Sequence, residues 1–157
     1  MDHPPAPWRL FGELILIPGP RVMLANYTSG TLVYHELIVF DRALRIRHIY
    51  VDDEQSLRGG RAIWGVPKQL ATFTYTRTRF SARQGDTPLL DARIRRRRGV
   101  IPLVLPAPIR GVATGRAAVK AAPALVRIED HGPFAELAGT HLALAGDDLR
   151  LTIPGPS

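Results

Sequence analysis

An antiparallel β fold, a barrel or a sandwich, is what this sequence predicts, and three observations predict it. Apolar and polar residues alternate over most of the chain, glycines and prolines interrupt that alternation at short intervals, and one stretch alone reads as a helix. The count is eight or nine short strands with little helix, the pattern of a closed or double-layered β protein.

Trp8 to Ile17 reads as the first strand, closed by Pro18-Gly19-Pro20. Arg21 to Tyr27 is the second, ended by Thr28-Ser29-Gly30. Leu32 to Phe40 is the third, and period two sets Tyr34, Glu36, Ile38 and Phe40 on one face against Val33, His35, Leu37 and Val39 on the other. Both faces are mostly apolar, which predicts a central strand and makes Glu36 a candidate for burial. Ala43 to Val51 is the fourth strand. Acidic side chains favour a helix N-terminus, so Asp52-Asp53-Glu54 opens a short helix from about Glu54 to Trp64, broken by Gly59-Gly60 or Gly65. Pro67 lacks an N–H and disfavours helix at Val66, which places Lys68 in a constrained turn. Ala71 to Ala82 is one long threonine-rich strand, and a turn at Gln84 to Pro88 leads into Leu89 to Arg98. Pro102, Pro106 and Pro108 break the next stretch into loop or edge pieces. Ile109 to Val119 and Leu125 to Ile128 are weaker strands, Gly132 to Ala138 is a helical turn, and His141 to Ile153 is a closing hairpin around Gly146-Asp147-Asp148.

Composition narrows the function classes. The chain of 157 residues fits a single domain, 1–157, and at 45% hydrophobic it is rich enough to bury a core. No apolar run approaches a membrane span, and the opening residues lack the basic-then-apolar pattern of a signal peptide. With no cysteine there are no disulfides and no thiolate metal sites, and a cytoplasmic location is the default expectation. The net charge of +7 raises nucleic acid as a partner, but no nucleic-acid motif accompanies it, so nucleic acid is set aside. Arg95 to Arg98 would split two and two between the faces of a strand, which an edge or an oligomer interface explains. Asp52-Asp53-Glu54 has no spaced set of metal ligands around it, His48 being the only imidazole near, and reads as a helix start. Gly59-Gly60 lacks the strand-to-helix context of a phosphate loop.

One residue type is conspicuously scarce. Of 21 basic residues only Lys68 and Lys120 are lysine. A lysine can lose its proton and attack a carbonyl, whereas an arginine cannot. Lys68 is therefore the candidate nucleophile, sitting in Arg61-Ala62-Ile63-Trp64-Gly65-Val66-Pro67-Lys68-Gln69-Leu70.

Tyr34-His35-Glu36, Tyr50-Val51-Asp52-Asp53-Glu54, Gly60-Arg61 and Pro67-Lys68-Gln69-Leu70 together resemble the acetoacetate decarboxylase superfamily. The resemblance runs from about Trp8 to Thr78 and, more loosely, to Gly132-Pro133-Phe134 and His141 to Leu144. It implies a β-barrel or cone with a polar pocket inside, assembled as oligomers. It also implies that Lys68 forms a Schiff base with a small oxo acid, with no metal or organic cofactor. Glu36 matches the acid of the family's Tyr-x-Glu motif and would shuttle protons. Arg61 or Arg21 would grip a substrate carboxylate, with Arg61 preferred, and Trp64, Tyr34 and Gln69 would complete the substrate site. Gln69 stands where the decarboxylases carry a second lysine that lowers the nucleophile's pKa. Ala62 replaces a glutamate, Arg21 corresponds to a second pocket carboxylate, and Gly12 corresponds to an N-terminal arginine. The reading is a lyase of bacterial, biosynthetic metabolism. Its rivals are a cyclase or aldolase-dehydratase using the same pocket without decarboxylation, and a ligand-binding barrel without catalysis.

Overall fold

A computed structural model describes residues 2–97, 100–109 and 113–156. Eleven strands and one helix follow the order β1 (Trp8–Ile17), β2 (Val22–Gly30), β3 (Tyr34–Phe40), β4 (Ile46–Val51), α1 (Glu54–Trp64), β5 (Lys68–Leu70), β6 (Thr72–Tyr75), β7 (Arg79–Gln84), β8 (Thr87–Arg96), β9 (Ile101–Ile109), β10 (Ala113–Ile128) and β11 (Gly139–Ile153). A 3-10 turn at Ala135–Leu137 falls within the helical turn expected there. No helix among the described residues is long and apolar enough to cross a membrane.

The strands form one sheet in the order β5-β4-β3-β2-β1-β11-β10-β8-β7-β6, with β9 paired to β10. This corrects the barrel, cone or sandwich expected from the sequence: the sheet is open, because among the described residues no ladder joins its two ends, β5 and β6. The chain itself forbids that ladder. Only Ala71 separates the two strands, and an antiparallel pair needs at least a two-residue turn. Side chains meet across the gap instead. Gln84 Nε2 donates to Gln69 Oε1 at 3.2 Å and to the Leu70 carbonyl at 3.1 Å, and the His35 ring stacks on Phe73 and Tyr75.

The sheet is also mixed rather than wholly antiparallel. β5 pairs parallel to β4, and a parallel neighbour requires a crossover, which α1 supplies. Lys68 therefore opens a strand instead of lying in the turn that Pro67 suggested. The helix has the expected bounds for local reasons. The Asp53 carboxylate caps it by accepting from Ser56 N at 2.7 Å, Glu54 pairs with Arg58 one turn on, and Gly65 ends it in the left-handed conformation. Gly59-Gly60 does not break it.

Four further corrections share one origin, the ambiguity of local punctuation. The long strand expected at 71–82 is a hairpin, β6 and β7, whose turn is closed by Thr76 Oγ1 accepting from Arg79 N at 3.0 Å. Gly146-Asp147-Asp148 is not a turn: β11 runs straight through it. The ladder to β1 steps from Gly12↔Leu149 to Leu14↔Gly146, the single extra residue of a β-bulge. The proline-rich stretch is a continuous strand, β9, at the sheet's margin. Pro102, Pro106 and Pro108 all have the same parity, so the N–H groups they lack can all face away from β10. The expected weaker strands at 109–119 and 125–128 are one strand, β10.

β3 lies inside the sheet as predicted, buried on both faces. Leu37 and Val39 join a core that also draws on Ile15 and Leu24 from β1 and β2, Phe80 and Leu90 from β7 and β8, and Val126 from β10. Tyr34 and Ile38 pack on the other face, in clusters with Tyr27, Val51 and Trp64. Glu36 shares that second face.

Candidate functional site

β3 delivers Glu36 and β5 delivers Lys68 to the same buried spot. Each residue is 5% exposed, and Lys68 Nζ stands 3.7 Å from Glu36 Oε2. The amine donates to Ser56 Oγ on α1 at 2.9 Å, and the Tyr27 hydroxyl on β2 donates to Glu36 Oε1 at 2.9 Å. The Trp8 and Tyr34 rings lie on the amine, each centroid 5.2 Å from Nζ. Among the described residues, Glu36, Ser56 and Lys68 are the only buried polar or charged ones, and all three belong to this cluster.

Glycine makes the burial of Lys68 possible. Ser56, Gly59 and Gly60 lie on one face of α1, at spacings of three and four residues. A Cβ on Gly60 would come within 2.6 Å of Lys68 Cε and 2.7 Å of its Cδ, and one on Gly59 would collide with the Trp8 ring. The paired glycines thus let the helix lie directly on the Lys68 side chain and on the indole beside it.

Burial governs the titration of the pair. Desolvation pushes the Lys68 amine below the usual 10.5, and the nearby Glu36 carboxylate opposes that shift. Desolvation likewise raises Glu36 above 4.5, against the pull of Lys68 and of the Tyr27 hydrogen bond. Tyr27 is raised well above 10.0 by burial and then by Glu36, so it remains a hydrogen-bond donor at neutral pH. Burial thus pushes both partners towards their neutral forms, and their attraction for each other opposes it.

Lys68 and Glu36 line a cavity of about 320 Å³, at the small end of the roughly 300–1,000 Å³ typical of ligand pockets. Of the described residues lining it, only these two and Arg21 carry charge; the remainder are apolar or aromatic, Trp64 and Tyr27 included. The polar pocket implied by the resemblance is therefore an apolar one with three charged groups.

The other candidates separate. Trp64 lines the cavity, stands edge-on to Trp8 with centroids 4.9 Å apart, and donates to the Pro154 carbonyl at 2.8 Å. Tyr34 is buried against the amine. Arg21 lines the cavity from the turn between β1 and β2. Arg61 and Gln69 do not line it. Arg61 donates from Nε and Nη2 to the Lys68 carbonyl, at 3.1 and 2.7 Å, so its fork grips the backbone of Lys68. Gln69 is exposed and bonded to Gln84, because adjacent strand residues point to opposite sides.

Sequence reasoning missed Tyr27, Ser56 and Trp8. The spacing Ser56-x-x-Gly59-Gly60 was a usable signal, since a helix face of small residues marks a close approach. Nothing local marks Tyr27; only its cross-strand position opposite Tyr34 brings it to Glu36.

The acidic run is fully employed. Asp52 accepts from His35 N at 2.7 Å and meets His35 Nδ1 at 2.8 Å, while Asp53 and Glu54 serve the helix. His35, rather than His48, is the imidazole beside the run. No group of three or more metal-ligating side chains occurs among the described residues. Of the arginine run, Arg95 and Arg96 lie on β8 and Arg97 follows it, while Arg98 falls outside the described residues.

The fold and site define a class: an open β-sheet protein in which a lysine and a carboxylate are buried together on the wall of an apolar cavity. The sequence model for acetoacetate decarboxylase (ADC) matches residues 18–104, more than half of the chain and the part that holds both Lys68 and Glu36. The chain belongs to the acetoacetate decarboxylase family. Its fold is similar to that of acetoacetate decarboxylase from Legionella pneumophila subsp. pneumophila str. Philadelphia 1, with a TM-score of 0.62 at 14% identity over 99% of this chain and 88% of that one. A second structure, from structural studies of acetoacetate decarboxylase, aligns with a TM-score of 0.51 at 15% identity, over 99% of this chain and 89% of that one. Comparison with curated proteins finds no match.

Proposed function

We propose that this chain is an imine-forming enzyme that acts on an oxo acid through Lys68. The observation that carries the reading is the placement of one buried amine, 3.7 Å from a buried carboxylate, on the wall of an otherwise apolar cavity. Burying two ionisable groups is costly, and such perturbed pairs in a cavity mark sites of chemistry. Family membership supports the same reaction class.

The uncharged amine attacks the keto carbon. The N–C bond forms, and one amine proton passes to the former carbonyl oxygen. Protonated Glu36 then gives its proton to that hydroxyl, and water leaves. A protonated imine remains, facing the Glu36 carboxylate it has just created. This imine is an electron sink. The electron pair of an adjacent C–C or C–H bond flows into it to give an enamine, with carbon dioxide or a proton as the departing group. Proton return to the enamine carbon and hydrolysis of the imine release the product and the free lysine. Tyr27 holds the Glu36 carboxyl in place, Ser56 orients the amine, and Arg61 fixes the strand that carries it.

Incubation with oxo acids followed by borohydride should leave a reduced adduct on the peptide containing Lys68, and Lys68→Ala should abolish it. Wild-type protein that stays unlabelled across a panel of oxo acids, up to pH about 9, contradicts the reading.

A further inference from the structure

The cavity has a second charged end that the imine chemistry does not use. The Phe40 N–H donates to the Arg21 carbonyl at 2.9 Å, so Arg21 lies level with Phe40, four residues along β3 from Glu36. At ~3.3 Å per residue, the backbone separation is about 13 Å. The lining between includes Leu16, Met23, Ile38 and Ile46, with no charged group among the described lining residues. Arg21 Nε is buried and has no hydrogen-bond partner among the described residues. A buried guanidinium donor left unpaired is a costly feature that an anionic ligand would satisfy. The backbone adds an independent sign. Arg21 and Leu44 both hold φ of 60°, and both line this end of the cavity. Left-handed backbone at non-glycine residues is rare and gathers at ligand sites.

Resting on the imine reading of Lys68, we propose that Arg21 binds the substrate carboxylate at the end of the cavity remote from Lys68, so that the substrate is an oxo acid whose carboxylate and reacting carbonyl are separated by an apolar chain of several carbons. Charge supports this orientation. Glu36 gains its negative charge as the imine forms and offsets the positive charge of the imine it faces, so a substrate carboxylate beside Lys68 would find no net opposite charge, while one at Arg21 does. The chemistry then changes. A carboxylate several carbons from the imine carbon cannot be lost as carbon dioxide, because its bond to carbon does not adjoin the electron sink. The bond that breaks is an α C–H: its electrons form the enamine double bond, the C=N electrons move onto nitrogen, and the proton goes to the Glu36 carboxylate.

Three probes test the proposal: 7-oxo-octanoate, 3-oxo-octanoate and the uncharged ketone 2-octanone. Borohydride labelling of Lys68 should favour 7-oxo-octanoate over 3-oxo-octanoate by roughly tenfold or more, the scale of one charge-assisted hydrogen bond. In Arg21→Gln the ratio of 7-oxo-octanoate to 2-octanone labelling should fall by about the same factor, and Arg21→Lys should retain part of it. Binding is followed in parallel without borohydride, through the fluorescence of Trp64 in the cavity wall, so the two readings fail separately. Binding of 7-oxo-octanoate that depends on Arg21, with no labelling of Lys68 by any probe, would sink the imine and keep the Arg21 site. Labelling that ignores the Arg21 substitutions, or that favours 3-oxo-octanoate, overturns the proposal and leaves the imine standing. Absence of Arg21 dependence in both assays also overturns it.

Discussion

The two lysines of this chain occupy opposite environments. Lys120, on β10, is 63% exposed and pairs with Asp148 at 3.0 Å in solvent. Lys68, on β5, is 6% exposed by side chain, pressed between two aromatic rings and a glycine face of α1. An exposed pair such as Lys120–Asp148 contributes little either way. A buried pair such as Lys68–Glu36 is usually less stabilising than an apolar replacement of the same volume. The halves of the sheet repeat the contrast: residues buried on β7, β8 and β10 are all apolar, while every buried polar or charged residue among those described lies on β3, α1 or β5. Unrewarded charge is concentrated where the cavity is, and the rest of the sheet is scaffold.

The largest way to break the comparison is at Glu36. Glu36→Gln keeps the shape and removes the proposed proton carrier, so turnover should drop about a hundredfold or more with the fold intact. Unchanged turnover in a folded variant would make Glu36 a structural partner of Lys68 alone. Gly60→Ala is nearly as severe for activity and mild for stability. The added methyl displaces the flexible Lys68 side chain, while alanine gains helix propensity of about 1 kcal/mol. Labelling of Lys68 should fall by roughly tenfold or more, in keeping with the sensitivity of catalysis to small misplacements, at a nearly unchanged melting temperature.

Stability sharpens the same contrast. Replacing both ionisable groups by apolar ones, Lys68→Met with Glu36→Leu, should stabilise the protein by about 1–4 kcal/mol at neutral pH while abolishing labelling. The pH dependence has a definite sign. Glu36 holds its proton more tightly in the folded state, so wild-type stability should fall as pH rises from 4.5 through its raised pKa. Lys68 holds its proton less tightly when folded, so stability should recover as pH rises through its depressed pKa towards 10.5. The double variant should lack this trough, and denaturant melts across pH measure it. The smallest expected effect is that of Gln69→Lys. Because Gln69 faces away from the amine, the new cation should leave the pH profile of labelling almost unmoved, and a clear shift to lower pH would show that charge at this position reaches Lys68.

Much of this was legible in the chain. Helix α1 could be bounded from Asp53 and Gly65 because caps are local chemistry, and β1 from the run closed by Pro18-Gly19-Pro20, while β3 begins at Tyr34, two residues after the expected Leu32. The openness of the sheet was not, since it depends on β5, three residues long and hidden behind Pro67, taking a parallel partner. The bulge at Asp147 and Asp148 carries the residues of a turn, and only the ladders of β1 and β10 reveal that the strand continues. At the site, Lys68 and Glu36 could be named from their motif. The position of Arg61 could not: its guanidinium meets the Lys68 carbonyl only because α1 folds back onto β5. Gln69 was open to the simpler argument that strand neighbours face opposite ways.

The central claim is that Lys68, and not Lys120, is the amine that meets a carbonyl. Protein treated with an oxo acid and borohydride at a series of pH values, then digested and weighed peptide by peptide, tests it directly. Lys68 should carry the adduct and Lys120 should not, and labelling should already proceed near neutral pH, because burial holds the Lys68 amine below 10.5. Equal labelling of the two lysines, or labelling of Lys68 only at the pH of an ordinary surface amine, would contradict it.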